Sequence, residues 1–268
     1  MLMNKSQTWK EQIVLITGAS SGIGAALSLV FAERGARVVL AARRVDRLQA
    51  VQDEITALGG EAFMVTCDVT DEQSVQKAVS DVIEHWGRLD VVIANAGFGV
   101  SGSFMKLTAK DYHAQFATNI FGVMNTLKSA YPHIESVQGR AVIVGSVNGY
   151  VSLAKNSAYA MSKFAVRALA QSLWIEWERK GVSTTLIEPG FVASEIRQVN
   201  NQGEFKAHAK DPVPQWLVMP SKTAAYQIER AIYKRKREAV ITFHGKVIVW
   251  LARFFPGLTR WLLAKVRY

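Results

Sequence analysis

The chain has 268 residues, 49% of them hydrophobic and 20% charged, with 6 Pro, 19 Gly and one Cys. That length buries a substantial core in one large domain or two small ones, and the near-average composition excludes disordered, collagen-like and low-complexity architectures. The net charge of +10 is unevenly carried: residues 1–220 hold 21 Lys+Arg against 20 Asp+Glu, residues 221–268 hold 11 against 2.

Met1 to Gln12 has neither an apolar core nor a small-residue cleavage site, so no secretory signal is expected. Ile13–Thr17, mostly β-branched, predicts a strand leading into a Gly-rich turn and a helix over Ala25–Arg34. Arg37–Ala41 is the next strand, followed by a helix from Val45 to Leu58 that Gly59-Gly60 ends. Ala62–Thr66, Leu89–Ala94, Ala141–Val144 and Thr184–Ile187 are further short apolar strands. Helices are predicted between them, around Glu72–His85, Ala114–Ile134 and Tyr159–Arg179. Apolar strands alternating with helices imply a parallel sheet covered on both faces. Ser221 is the candidate N-cap of a further helix, Ala239–Phe243 the last strand, and Gly245–Tyr268 two short helices broken at Pro256-Gly257. The fold class is α/β: a Rossmann-type doubly wound parallel sheet in three α/β/α layers, a single domain with a C-terminal amphipathic helical appendage. The main domain is expected over residues 1–245, with 246–268 an apolar, basic extension. A lone Cys67 excludes an intramolecular disulfide, the five His are scattered, and no metal site is expected.

Thr17-Gly18-Ala19-Ser20-Ser21-Gly22-Ile23-Gly24 lies between the first strand and the first helix. Glycines let the backbone approach a pyrophosphate, and the helix start presents N–H groups to its charge. No Gly-Lys-Ser/Thr follows, so this is not a nucleoside-triphosphatase loop. Where an NAD-binding fold would place an acid for the ribose hydroxyl, the second strand ends Leu40-Ala41-Ala42-Arg43-Arg44. Two guanidinium groups suit a ribose phosphate through paired, charge-assisted bonds, which selects NADP(H) over NAD(H).

With Asn95-Ala96-Gly97 after the fourth strand, Asn119, Ser146, Tyr159-Ala160-Met161-Ser162-Lys163 and Pro189-Gly190, the chain resembles the short-chain dehydrogenase/reductase family over roughly residues 12–245. The resemblance implies a catalytic tetrad of Asn119, Ser146, Tyr159 and Lys163. It implies coenzyme contacts from Gly18, Ser20, Ser21, Gly22, Ile23, Gly24, Arg43, Arg44, Asp68, Val69, Asn95, Ala96, Gly97, Tyr159, Lys163, Pro189, Gly190 and Val192, with Cys67-Asp68-Val69 the adenine segment. Tyr159 and Lys163 are four apart and share a helix face. A free phenol titrates near ~10, and a neighbouring ammonium favours the phenolate. In ketone reduction Tyr159 is the general acid, and Ser146 hydrogen-bonds the same oxygen. By resemblance, Lys163 also holds the nicotinamide ribose and Asn119 links Lys163 to solvent through a water. Gly145 stands where the family more often has Ser, and Glu188 before Pro189 is a less usual acid with no role assigned.

Phe98, Val100, Leu153, Phe191, Val192, Trp216 and Leu217 are candidate pocket residues for a lipophilic carbonyl or alcohol, under a segment from Gly190 to Met219 that includes Asp211-Pro212. The tail sets Trp250, Phe254, Phe255 and Trp261 among Lys246, Arg253, Arg260 and Lys265, similar to the membrane-associated, 11-beta-hydroxysteroid dehydrogenase-like branch of the family. The leading reading is an NADP(H)-dependent carbonyl reductase or dehydrogenase, homodimeric or homotetrameric, cytoplasmic and peripheral on the inner face of a membrane. No nucleic-acid partner is expected. A 3-oxoacyl-carrier-protein reductase and a non-catalytic coenzyme-binding scaffold are the rivals; the tail argues against the first and an intact tetrad against the second.

Overall fold

The computed structural model describes residues 8–205 and 213–265. Seven parallel strands form one sheet: β1 (Ile13–Thr17), β2 (Arg37–Ala42), β3 (Glu61–Thr66), β4 (Val91–Ala94), β5 (Arg140–Val144), β6 (Ser183–Glu188) and β7 (Glu238–Val240), in spatial order β3-β2-β1-β4-β5-β6-β7. The helices are α1 (Gly22–Glu33), α2 (Val45–Ala57), α3 (Glu72–Trp86), α4 (Ala109–Phe116), α5 (Gly122–Ser136), α6 (Ser157–Glu178), α7 (Ser221–Tyr233), α8 (Phe243–Phe254) and α9 (Pro256–Ala264).

The strands read as continuous apolar runs because both faces are covered. On β1, Val14 and Ile16 share one core cluster with residues of α1, α2 and α7, while Ile13 and Leu15 share the other with residues of α3, α5 and α6. The same alternation separates Val38 and Leu40 from Val39 and Ala41 on β2. Each fully buried Val, Leu or Ile contributes about 1.5–3 kcal/mol, and β1 is buried along its whole length.

Four differences from the sequence reading have local causes. A helix begins at Ala109, because Thr108 accepts from the Asp111 N–H while Asp111 accepts from the Thr108 N–H, a capping box. Between α4 and α5 the chain widens into a π-turn over Ala117–Phe121, a form that recurs at functional sites. Ser221 is the first residue of α7 rather than its cap; Pro220 holds the cap position. The last strand stops at Val240, and Phe243 opens α8, whose N-cap Thr242 accepts from the Gly245 N–H.

The tail is not detached. Val249, Ile248, Ala252 and Leu263 pack on Val147, Tyr150, Val151 and Val240. Arg253 donates to both carboxylate oxygens of Glu238, at 2.7 and 2.9 Å, and to the Tyr150 hydroxyl at 2.7 Å. Among the described residues, no helix is long and apolar enough to cross a membrane.

Candidate active site

A cleft of about 780 Å³ opens at the carboxyl ends of the strands, where the strand order reverses between β1 and β4; open α/β sheets bind their ligands at such a point. Its floor is main chain. Gly18 turns the chain at φ +68°, and a β-carbon there would stand 2.9 Å from Ala96 Cα. At Gly24 a β-carbon would lie 2.2 Å from the Gly18 carbonyl oxygen, so α1 can approach the turn only without one. Asn95 closes the other side, its amide donating to the Thr17 oxygen at 2.9 Å and to the Gly18 oxygen at 3.3 Å. Thr17 Oγ1 accepts the N–H groups of Asn95 and Ala96. Ser21, at the N-cap of α1, makes no side-chain cap bond to the helix; its hydroxyl instead accepts from Arg44 at 2.8 Å.

Arg44 also donates to Ser20 Oγ at 3.1 Å and to Glu195 at 3.0 Å. Arg47 lies 3.6 Å from the other oxygen of Glu195. Arg43, at the same end of β2, is two-thirds exposed and reaches Asp68 at 3.7 Å. Burial acts to raise the Asp68 carboxyl, but hydrogen bonds from Thr70 and the charge of Arg43 outweigh it and hold the group below its usual range.

The opposite wall carries the reactive side chains. Tyr159 and Lys163 sit one turn apart on α6, with the ammonium nitrogen 5.5 Å from the phenol ring centroid. Burial pushes the phenol up to about 12; the neighbouring Ser146 hydroxyl and the Arg197 guanidinium oppose the rise, and Glu188 adds to it. Burial outweighs the two groups that oppose it, and the phenol keeps its proton at neutral pH. Lys163 is buried, donates to the Val144 oxygen at 2.9 Å, and is lowered to about 8 by burial against the pull of Glu188. Ser146 follows β5 and accepts from the Asn148 N–H at 3.1 Å. Asn119 is buried in the π-turn. Its carboxamide accepts from the Phe98 N–H and donates to Phe98 O and to Ser162 Oγ, and Ser162 donates to the Tyr159 carbonyl at 2.7 Å. Its side chain thus braces the post-β4 loop against α6.

Two devices shape the entrance. Asn201 exchanges a pair of 3.0 Å bonds with the main chain of Ser101, fastening the segment after β6 to the loop after β4. His244, on the first turn of α8, accepts the Phe191 N–H at 3.0 Å and stacks on the Phe191 ring. A β-carbon on Gly190 would lie 2.2 Å from Thr242 Oγ1, so α8 abuts the turn that follows β6.

The structure brings Gly18, Ser20, Ser21, Gly22, Ile23, Arg43, Arg44, Asp68, Val69, Asn95, Ala96, Gly97, Ser146, Tyr159, Lys163, Pro189, Gly190 and Val192 together around one cleft. Gly24 and Asn119 lie outside its lining. Of the apolar candidates, Phe98 and Val192 line it. Trp216 is instead 82% exposed, and Val100 is buried with its N–H held by Gln115. Phe191 is taken up by His244, and Leu153 and Leu217 are not in the lining. Ile196, Val199 and Phe205 supply the apolar surface in their place. Asp211 and Pro212 lie outside the described residues. His244 and Glu195 gave no sequence signal, since their partners are 53 and 151 residues away.

The model of the short chain dehydrogenase family matches residues 12–204. An uncharacterized oxidoreductase of Bacillus subtilis, YxnA, is 33% identical over 270 residues, covering 98% of this chain and 74% of that protein. An alcohol dehydrogenase from Thermococcus sibiricus, solved with 5-hydroxy-NADP, superposes with a TM-score of 0.76 at 28% identity, covering 87% of this chain and 97% of that one. A short chain dehydrogenase/reductase from Burkholderia phymatum, solved with NAD, has the same fold at a TM-score of 0.84 and 24% identity, covering 94% and 96%.

Proposed function

Because the chain belongs to the short-chain dehydrogenase/reductase family, we propose that it is an NADP(H)-dependent oxidoreductase moving hydride between nicotinamide and a hydrophobic carbonyl or secondary alcohol. The observation that carries this reading is the meeting of Tyr159, Ser146 and Lys163 on one wall of a cleft whose other wall is a glycine cradle. The cradle fits a pyrophosphate, since main chain bare of β-carbons borders it and the start of α1 faces it. The bound coenzyme supplies the hydride. Tyr159 supplies the proton: a phenol pushed up to about 12 holds it at neutral pH and releases it to an oxygen that is gaining charge. Ser146, whose hydroxyl acts on the phenol, orients that oxygen, and Lys163 holds its ammonium 5.5 Å from the phenol ring.

Arg43 and Arg44 support NADP(H). Arg44 is held at the rim by Ser20 and Ser21, and no acid stands at the end of β2 to take a ribose hydroxyl. The NADP analogue bound by the Thermococcus relative is in keeping with this choice. Fluorescence titration with NADPH and NADH tests it: NADPH binds at least tenfold tighter, a difference of about 1.4 kcal/mol. Equal affinities would remove the ribose-phosphate assignment.

We infer further that α8 and α9 rest on an anionic membrane surface on the cytoplasmic side. Trp250, Phe254, Phe255 and Trp261 are about half exposed or more, with Lys246, Arg260 and Lys265 beside them. The wild-type protein floats with vesicles containing phosphatidylserine at low salt, and a Trp250→Ser/Phe254→Ser/Trp261→Ser variant does not. Equal flotation of both would overturn the contact. Loss of a dimer in the variant would make this face the subunit interface instead.

A further inference from the structure

Among the described residues, Glu188 is the one buried carboxyl on the reactive wall that the proton transfer leaves unused. It ends β6, is fully buried, and its Oε2 accepts the Ser146 N–H at 3.0 Å. Its Oε1 has no hydrogen-bond partner among the described residues, and a buried acceptor without one is costly. Gly145 lies against it: a β-carbon there would stand 3.3 Å from Glu188 Cδ, 3.1 Å from Leu186 Cδ1 and 3.2 Å from the Ile187 oxygen. The charged and titratable groups acting on Glu188 come from every neighbouring element. They are Lys163, Arg167 and Tyr159 of α6, Tyr150 after the 147–149 turn, and Glu238 of β7. Arg167 is itself held by the Gly149 oxygen and stacked 3.7 Å over the Tyr150 ring.

We infer that Glu188 is a positioning residue for the reaction, seated in space that the missing side chain of Gly145 leaves open, from which its carboxyl oxygen holds the main chain of Ser146. The two residues that depart from the family pattern, Gly145 and Glu188, are then one device: the small residue admits the acid. Burial raises the Glu188 carboxyl to about 8, Glu238 adds to the rise, and the Ser146 N–H, Arg167 and Lys163 oppose it. Lys163 falls to about 8 from the other side. Glu188 raises the proton affinity of both Lys163 and Tyr159, so it extends to higher pH the range over which ammonium and phenol are both protonated.

This inference rests on the carbonyl-reduction reading, and two measurements keep the two apart. The first is the pH profile of kcat/KM for reduction in wild type and Glu188→Gln, which keeps an oxygen for the Ser146 N–H but loses the charge. The alkaline limb should move to lower pH by about half a unit or more, with kcat reduced about tenfold and the KM for coenzyme within about threefold. An unmoved limb would reduce Glu188 to packing and overturn the proposal. The second is thermal unfolding of Gly145→Ser, Glu188→Ala and the double variant, which needs no turnover. Shared space predicts that Gly145→Ser lowers Tm in wild type and that Glu188→Ala recovers at least half of that loss. Additive losses would overturn the pairing. A wild type that binds NADPH but reduces no carbonyl would sink the reaction reading, and the unfolding cycle would still decide whether Gly145 and Glu188 share their space.

Discussion

The two walls of the cleft are made of different material. The wall at β1 and β4 is main chain, bare of β-carbons at Gly18 and Gly24 and tied by Thr17 and Asn95. The wall at β5 and β6 is side chain, with a half-buried phenol, a buried ammonium and a buried carboxyl close together. Main chain offers N–H groups and close approach, which any dinucleotide can use, and it fails abruptly when a single carbon is added. Side chains offer proton affinities that burial and neighbours tune, and they change by degrees. One wall is therefore a matter of shape and the other a matter of charge.

Replacing Tyr159 by Phe separates the walls most sharply. Removing the proton donor lowers kcat by about 10²–10⁴, while the NADPH dissociation constant stays within about threefold. Retained turnover in a stopped-flow or steady-state assay would break the charge-wall assignment. Gly24→Ala acts on the other wall. With the new carbon 2.2 Å from the Gly18 oxygen, α1 must shift; unfolding free energy falls by about 1–3 kcal/mol in urea and NADPH affinity is lost. Unaltered affinity would mean that the cradle is looser than its geometry. Arg44→Ala sharpens the comparison within the rim. NADPH binding weakens about tenfold and NADH binding less than about twofold, the loss expected for charge-assisted hydrogen bonds. Equal weakening of both would assign Arg44 to the pyrophosphate.

The smallest effect is on stability against pH. The Glu188 carboxyl is raised from 4.5 to about 8, so its stabilising share is complete below pH 4.5 and is lost as pH rises through 8. Lys163, lowered from 10.5 to about 8, acts above that window: the penalty on its ammonium is complete below pH 8 and is relieved as pH approaches 10.5. Between about pH 5 and 8 the wild type should lose at least about 2–4 °C of Tm relative to Glu188→Gln, the shift that 1 kcal/mol gives in a chain of this size. Parallel Tm curves would show Glu188 already ionised at pH 5.

What could be read from the chain follows the same division. The glycine turn and the Tyr159/Lys163 pair stand out because their meaning is local: a spacing of a few residues on one turn or one helix face. The three-layer sheet was legible from apolar runs that stay apolar on both faces, as Ile13–Thr17 does. The capping box at Thr108 and Asp111 was equally local, but a helical period strong from Ala114 onward drew the start of that helix too late. The π-turn at Asn119 leaves no trace in periodicity, since the residues around it suit an ordinary helix. Glu188 was visible as an oddity without a role, because Gly145 and Lys163 come to it from separate elements. His244 was invisible, since what it meets is a main-chain N–H, which no sequence pattern marks. Apolar character alone places Trp216 among the pocket candidates, and only the path of the chain leaves it exposed.

β7 is three residues long and lies at the rim of the sheet. A rim strand presents unpaired N–H and C=O groups to any passing chain and so invites stacking of one molecule on the next. Here α8 packs against it through Val240, and Arg253 clamps Glu238 at its first residue. A tail packed on a rim strand hinders such stacking, whatever else it touches. A chain cut at His244 would first declare itself as turbidity and light scattering during refolding, before any change in lipid binding could be measured.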